Sequence, residues 1–160
     1  MHVYHFQNTQ ISIPETDDIR KLYLELSSAC NFDCAMCFRH SFATPTGTMT
    51  PDLLERIQAE IETLPELQEV LLGGLGEPLL HSQIEHLVAF LKRHNLLLTI
   101  TTNGALLESF MDFFIVQGVD RIVISFETGD IGHFNEYPIC ETIKHVSQKM
   151  EQVNRPKPEI

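Results

Sequence analysis

The sequence predicts an α/β fold of about four parallel βα units, arranged as an open sheet or as an arc of a barrel. Three observations predict it. Short apolar runs begin near positions 22, 70, 97 and 121. Each is followed by apolar residues at helical spacing. Glycine, proline and asparagine punctuate the junctions. Regular strand–helix alternation implies parallel strands joined by right-handed crossovers. Such folds carry their chemistry at the C-terminal ends of the strands.

Residues 1–20 read as a separate N-terminal segment in which 2–6 and 11–13 could form short edge strands before a turn at 14–18. From residue 21 to the end the chain reads as one partial barrel. Leu22, Leu24 and Leu26 alternate with Tyr23, Glu25 and Ser27, a strand pattern, and a long loop over 28–50 follows. Thr50 has the character of an N-cap, with Pro51 at the first helical position and Asp52 in the first turn. Leu53, Leu54, Ile57, Ile61 and Leu64 then form an apolar stripe, assigned to the core, which Pro65 ends.

Val70, Leu71 and Leu72 form the second strand and run into Gly73-Gly74-Leu75-Gly76-Glu77-Pro78. Ser82 and Glu85 have the spacing of a capping box before Ile84, Leu87, Val88 and Leu91, and Asn95 is placed to stop that helix. Residues 96–101 form the third strand, turned by Asn103-Gly104. The next helix carries Leu106, Leu107, Phe110, Met111, Phe114 and Ile115 and closes at Gly118. Residues 121–126 form the fourth strand, and Ile139, Ile143, Val146 and Met150 mark the last helix. A fifth strand is due where the chain stops, so the reading expects a truncated core or a partner chain that completes the barrel.

Of 160 residues, 43% are hydrophobic and 21% charged, which is globular composition and sufficient for a core. The formal charge of −11 and the lack of a basic run argue against nucleic-acid binding, because phosphate contacts need clustered Lys and Arg. No apolar stretch approaches the roughly 18 residues of a membrane span. The N-terminus lacks a basic segment followed by an apolar one, so a cytoplasmic location is expected.

Cys30, Cys34 and Cys37 fall within eight positions of one loop, and Cys140 stands apart as a structural or incidental thiol. That clustering, without a secretion signal, points to metal chemistry in a reducing compartment rather than to disulfides. Three thiolates can hold three irons of a [4Fe–4S] cube and leave the fourth open to a small molecule. Zinc is the rival: His40 would complete a Cys30, Cys34, Cys37 and His40 set, although it reads better as a solvated loop residue than as a ligand. Plain buried thiols are the third alternative.

The run Cys30-Asn31-Phe32-Asp33-Cys34-Ala35-Met36-Cys37 resembles the cluster loop of the radical SAM superfamily. Gly73-Gly74-Leu75-Gly76-Glu77-Pro78 is similar to that family's glycine-rich Gly-Glu-Pro turn after the second strand. Thr102-Asn103-Gly104 and Ile124-Ser125-Phe126-Glu127 look like the ends of its third and fourth strands, and the likeness covers residues 21 to about 150. Met36 stands where the family commonly has an aromatic residue, with Phe32 and Phe38 available to pack in its place.

The resemblance implies a (βα) barrel truncated relative to a (βα)6 core. It implies that Cys30, Cys34 and Cys37 ligate a [4Fe–4S] cluster whose open iron takes S-adenosylmethionine. Reductive cleavage would then give a 5′-deoxyadenosyl radical for hydrogen abstraction. Gly73, Gly74 and Gly76 would let backbone carbonyls approach the methionyl ammonium, with Glu77 adding negative charge; a tight turn with a solvated Glu77 is the alternative. Ser125 and Glu127 would bind ribose hydroxyls, and Asn103 would touch the ligand or hold a left-handed turn. The resemblance further implies a one-electron donor such as ferredoxin or flavodoxin. The loop and turn look like the family's maturase branch, whose substrates are peptides, enzymes or small-molecule cofactors, including those of tungsten or molybdenum enzymes.

Overall fold

The structure, a computed structural model, describes residues 2–6, 9–13, 18–41, 43, 45–125 and 139–151. Strands β1 (His2–Phe6) and β2 (Thr9–Ile13) pair antiparallel with each other as a two-stranded sheet, with Tyr4 opposite Ile11. They form a sheet of their own, apart from the larger one.

That larger sheet contains β3 (Lys21–Leu24), β4 (Glu69–Leu72), β5 (Leu97–Thr102) and β6 (Arg121–Ile124), all parallel. Helices α1 (Pro51–Glu62), α2 (Ile84–Arg93) and α3 (Leu107–Gln117) connect successive strands, and α4 (Ile139–Glu151) follows β6. The spatial order β3-β4-β5-β6 is the chain order. A doubly wound sheet reverses direction at a switch point, whereas this order never reverses, which is the winding of a barrel wall.

With every crossover of one hand, the helices share one face of the sheet. Val70, Leu72, Leu98, Ile100 and Ile122 point to it and are fully buried against Leu54, Ile61, Leu87, Leu91, Met111, Phe114 and Val146. The intervening residues face the other way, where Tyr23 is 58% and Leu97 55% exposed. Val146 and the pairs His145–Glu108 (2.7 Å) and Lys149–Asp112 (3.2 Å) dock α4 on α3.

The sequence-based boundaries need four corrections. The first strand stops at Leu24: Leu26 gives its carbonyl to the Met49 N–H (2.8 Å) and is buried in the apolar core. On α1 the Thr50 Oγ1 accepts from Leu53 N–H (3.3 Å) as expected, but Leu53 itself is exposed; Leu54, Gln58 and Ile61 form the inward face. At 100° per residue Leu53 falls to the side of that face. The helix ends at Glu62, before Pro65.

The Ser82–Glu85 capping box is not formed. Gln83 is the N-cap of α2 without a side-chain cap bond, and its N–H goes instead to His81 Nδ1 (3.2 Å). Buried His81 also meets the Met49 carbonyl through Nε2 (2.9 Å), so Nε2 donates while Nδ1 accepts. The helix stops are as expected: Asn95 has φ 56°, and Gly118 has φ 74° with its N–H on Phe114 O and Ile115 O.

A candidate cofactor site at the strand ends

The C-terminal ends of β3 to β6 meet around a cavity of about 350 Å³. Cys30, Cys34 and Cys37 line it together with Met36 and Phe38 from the same loop. Gly74, Leu75, Gly76 and Glu77 follow β4; Thr101, Thr102 and Asn103 end β5; Ser125 follows β6. Sequence positions almost a hundred residues apart thus reach one wall because four parallel strands end side by side.

The cysteine loop is folded by its own backbone and by Arg39. Cys37 N–H bonds Cys34 O (2.9 Å), His40 N–H bonds Cys37 O (3.0 Å), and Phe38–Ser41 form a 3-10 turn. Arg39 Nη2 donates to the Phe32 carbonyl (3.0 Å) and to Asp33 Oδ1 (3.2 Å). Phe32 is buried and anchors the loop, whereas Phe38 is exposed on the cavity wall beside Met36. None of the three cysteines is in a disulfide.

The glycine turn is pressed against this loop. Glu77 N–H donates to Ala29 O (2.9 Å). A Cβ on Gly76 would run into the carbonyl oxygens of Ser27 and Ala29, and one on Gly74, at φ 127°, would meet the Glu25 side chain at 2.5 Å. The two glycines therefore make room for the protein's own chain as well as opening onto the cavity. Gly73 lies one residue back from the lining, where a Cβ would meet Tyr23 Oη at 2.9 Å. Glu25, whose role the sequence did not reveal, holds the turn by accepting Leu75 N–H on Oε1 (2.7 Å).

Glu77 is 1% exposed rather than solvated. Its Oε1 accepts from Leu79 N–H (3.0 Å) and Thr102 Oγ1 (2.8 Å), and its Oε2 accepts from Asn103 N–H (2.7 Å). Burial raises its pKa above the ordinary 4.5, because desolvation outweighs those three donors. The carboxylate clamps the β4 turn to the end of β5.

Asn103 does not hold a left-handed turn; Gly104 does, at φ 83°. The Asn103 amide reaches the cysteine loop instead, donating to Asn31 Oδ1 (2.8 Å) and contacting Cys30 Sγ at 3.6 Å. Ser125 lines the cavity and is fixed by its N–H on Thr102 O (2.9 Å). Phe126 and Glu127 lie outside the described residues. Cys140 falls in the first turn of α4.

The donors that line the cavity are sulfur: Cys30, Cys34 and Cys37 from one loop. His40 is half exposed, with Nε2 on Cys34 O (3.0 Å), and is not part of the cavity lining. Three thiols sharing one wall suit a cube, whose irons each take a separate cysteine.

Fold and site define an α/β barrel wall with a cysteine-lined cavity at its strand ends. The chain belongs to the radical SAM superfamily, whose family model matches residues 24–145. It is 33% identical over 150 residues to a tungsten-containing aldehyde ferredoxin oxidoreductase cofactor-modifying protein of Pyrococcus furiosus, covering 89% of this chain and 42% of that one. It is 31% identical to a GTP 3′,8-cyclase of Chlorobaculum tepidum, covering 81% of this chain and 39% of the relative. The crystal structure of BtrN in complex with AdoMet and 2-DOIA shares the fold, at TM-score 0.62 and 23% identity over 71% of this chain and 48% of that one. The chain thus spans less than half the length of the curated relatives it matches. The expected family and an α/β fold with a four-stranded parallel sheet are both found, and the relatives include an enzyme by name. No helix among the described residues is long and apolar enough to cross a membrane.

Proposed function

We propose that Cys30, Cys34 and Cys37 hold a [4Fe–4S] cluster and that S-adenosylmethionine binds beside it in the same cavity. The observation that carries this is the convergence of all three thiols with the glycine turn and Asn103 on one wall. When bound, the pair supplies a 5′-deoxyadenosyl radical for hydrogen abstraction. The protein's part is to bind, orient and exclude water. Gly74 and Gly76 line the cavity, and backbone carbonyls of this turn would suit a methionyl ammonium. Gly73 and Glu77 then support the turn from behind, Ser125 offers a hydroxyl for a ribose, and Glu127 would complete that pair. Met36 and Phe38 provide apolar cover at the rim.

The reaction class we infer is maturation of an enzyme or a small-molecule cofactor, with peptides a further substrate type. The names of the relatives favour it: one modifies the cofactor of a tungsten enzyme, another is a GTP cyclase. The chemistry requires one electron from a donor of ferredoxin or flavodoxin type, and free thiols suit a reducing, cytoplasmic setting. A chain completing the barrel would pair with the edge strand β6 and so enclose the sheet face bearing Tyr23 and Leu97.

Anaerobic reconstitution with iron and sulfide tests the proposal. A brown protein that, when reduced, turns S-adenosylmethionine into methionine and 5′-deoxyadenosine supports it. A colourless protein holding one tight zinc that is lost on His40→Ala would overturn it in favour of a zinc module.

A further inference from the structure

We propose that Asn103 is a positioning residue that raises the reduction potential of the iron–sulfur centre by donating an N–H to the Cys30 sulfur. The inference rests on the cluster reading above and assigns a role to a residue outside the ligand set.

The orientation of the amide is dictated by its neighbours. Asn103 Oδ1 accepts the Ala105 N–H at 3.0 Å. A backbone N–H can only donate, so the carbonyl end of the side chain must face Ala105. The NH₂ end is thereby committed to the opposite side, where Asn31 Oδ1 lies at 2.8 Å and Cys30 Sγ at 3.6 Å. Two hydrogens meet two acceptors. The backbone of the same residue is fixed by its N–H on buried Glu77 Oε2 at 2.7 Å. The amide therefore cannot turn away without breaking the turn at Ala105.

Cys30 Sγ also receives the Phe32 N–H at 3.4 Å, so it is a sulfur with two donors aimed at it. Hydrogen bonds to ligand sulfurs stabilise added negative charge, and reduction adds one electron. The bond is stronger in the reduced state, which moves the potential upward. The same contact ties the end of β5 to the cysteine loop across 73 positions of sequence.

The test is a redox titration of the reconstituted protein followed by electron paramagnetic resonance. Asn103→Ser keeps a hydroxyl for Ala105 N–H but cannot reach Cys30; Asn103→Asp keeps the shape and removes the donor. Both variants should bind iron as wild type does and show a lower potential. The reduced-to-oxidised ratio at fixed potential should fall severalfold, with a tenfold fall equal to about 59 mV for one electron. An unchanged potential in Asn103→Ser with the cluster intact overturns the proposal. So does a fall confined to Asn103→Asp, which would be an effect of added charge. A second readout needs no stable Asn103 variant. Labelling asparagine side-chain amides with nitrogen-15 should give a weak nitrogen coupling on the reduced centre that survives Asn31→Asp. Its absence, or its loss in Asn31→Asp, overturns the proposal. Failure of wild type to take up any cluster refutes the underlying functional reading instead, and is seen before any variant is made.

Discussion

Glu77 Oε2 accepts the backbone N–H of Asn103 at 2.7 Å, joining the glycine turn after β4 to the strand end that touches Cys30. With Leu79 N–H and Thr102 Oγ1 on Oε1, the carboxylate serves three donors in a buried position. Glutamine retains an acceptor for one side only. Its NH₂ would face the Asn103 N–H, donor against donor. Glu77→Gln should therefore destabilise the apoprotein at neutral pH by about 1–3 kcal/mol, the cost of an unsatisfied buried donor. Urea unfolding followed by circular dichroism measures it. Wild-type stability in Glu77→Gln at neutral pH would remove the clamp role.

The same carboxylate makes stability depend on pH. Burial raises its folded pKa above 4.5, so the native state holds the proton more tightly than the unfolded chain does. The stabilisation from protonated Glu77 is fully present below 4.5 and is lost as pH rises through the folded value. Glutamine does not titrate. The stability of wild type relative to Glu77→Gln should therefore fall as pH is taken from acid toward neutral. Parallel pH profiles for the two proteins would contradict the raised pKa.

The glycines after β4 are set apart by what surrounds them. A Cβ on Gly76 meets main-chain atoms of residues 27–29, including the Ser28 carbonyl carbon at 2.7 Å, and backbone cannot rotate aside. Gly76→Ala should destabilise by about 1–3 kcal/mol or more, as overpacking does. Gly47 has nothing within 4 Å of its Cβ position, so Gly47→Ala should stay within about 0.5 kcal/mol of wild type. Thermal melts of the two variants side by side check this. Equal effects would mean that the turn and the cysteine loop are not in contact.

These contacts divide what the sequence discloses from what it does not. The sheet and its helices were legible because burial acts locally. Val70 and Leu72, or Leu98 and Ile100, point one way by strand alternation, and Leu107, Met111 and Phe114 share a helix face. The cysteines were legible because their spacing is itself the signal. Glu25, His81 and Arg39 were not, for two physical reasons. Glu25 and His81 bond to Leu75 and Met49, 50 and 32 residues away, and no local pattern encodes such pairings. Arg39 bonds to a carbonyl seven residues back, a pairing fixed by the loop's path. The Ser82–Glu85 spacing misled because His81, buried by its long-range bond, takes the N–H next to it. Asn103 drew notice for its turn, yet its amide is aimed by Ala105 and ends at the cysteines.

Arg39 offers a way to loosen the cysteine loop without touching a thiol. Its guanidinium is largely buried and makes two contacts of unequal weight. Asp33 is 81% exposed, so that ion pair is screened by water and contributes about 1 kcal/mol at most. The bond to the Phe32 carbonyl at 3.0 Å closes the loop around Cys34 and Cys37 and is a charged donor on a backbone acceptor. Asp33→Ala should therefore leave iron and sulfide uptake near the wild-type level. Arg39→Ala should reduce uptake severalfold, because the three thiols lose a fixed spacing before the metal arrives. Unfolding of the apoprotein should shift by about 1.5–3 kcal/mol, the loss of one charged hydrogen bond to a backbone carbonyl, and so by less than loss of the fold. Iron and sulfide per chain after reconstitution, beside a urea melt, separates the two effects. If Asp33→Ala and Arg39→Ala lower uptake equally, the ion pair rather than the carbonyl tether shapes the loop.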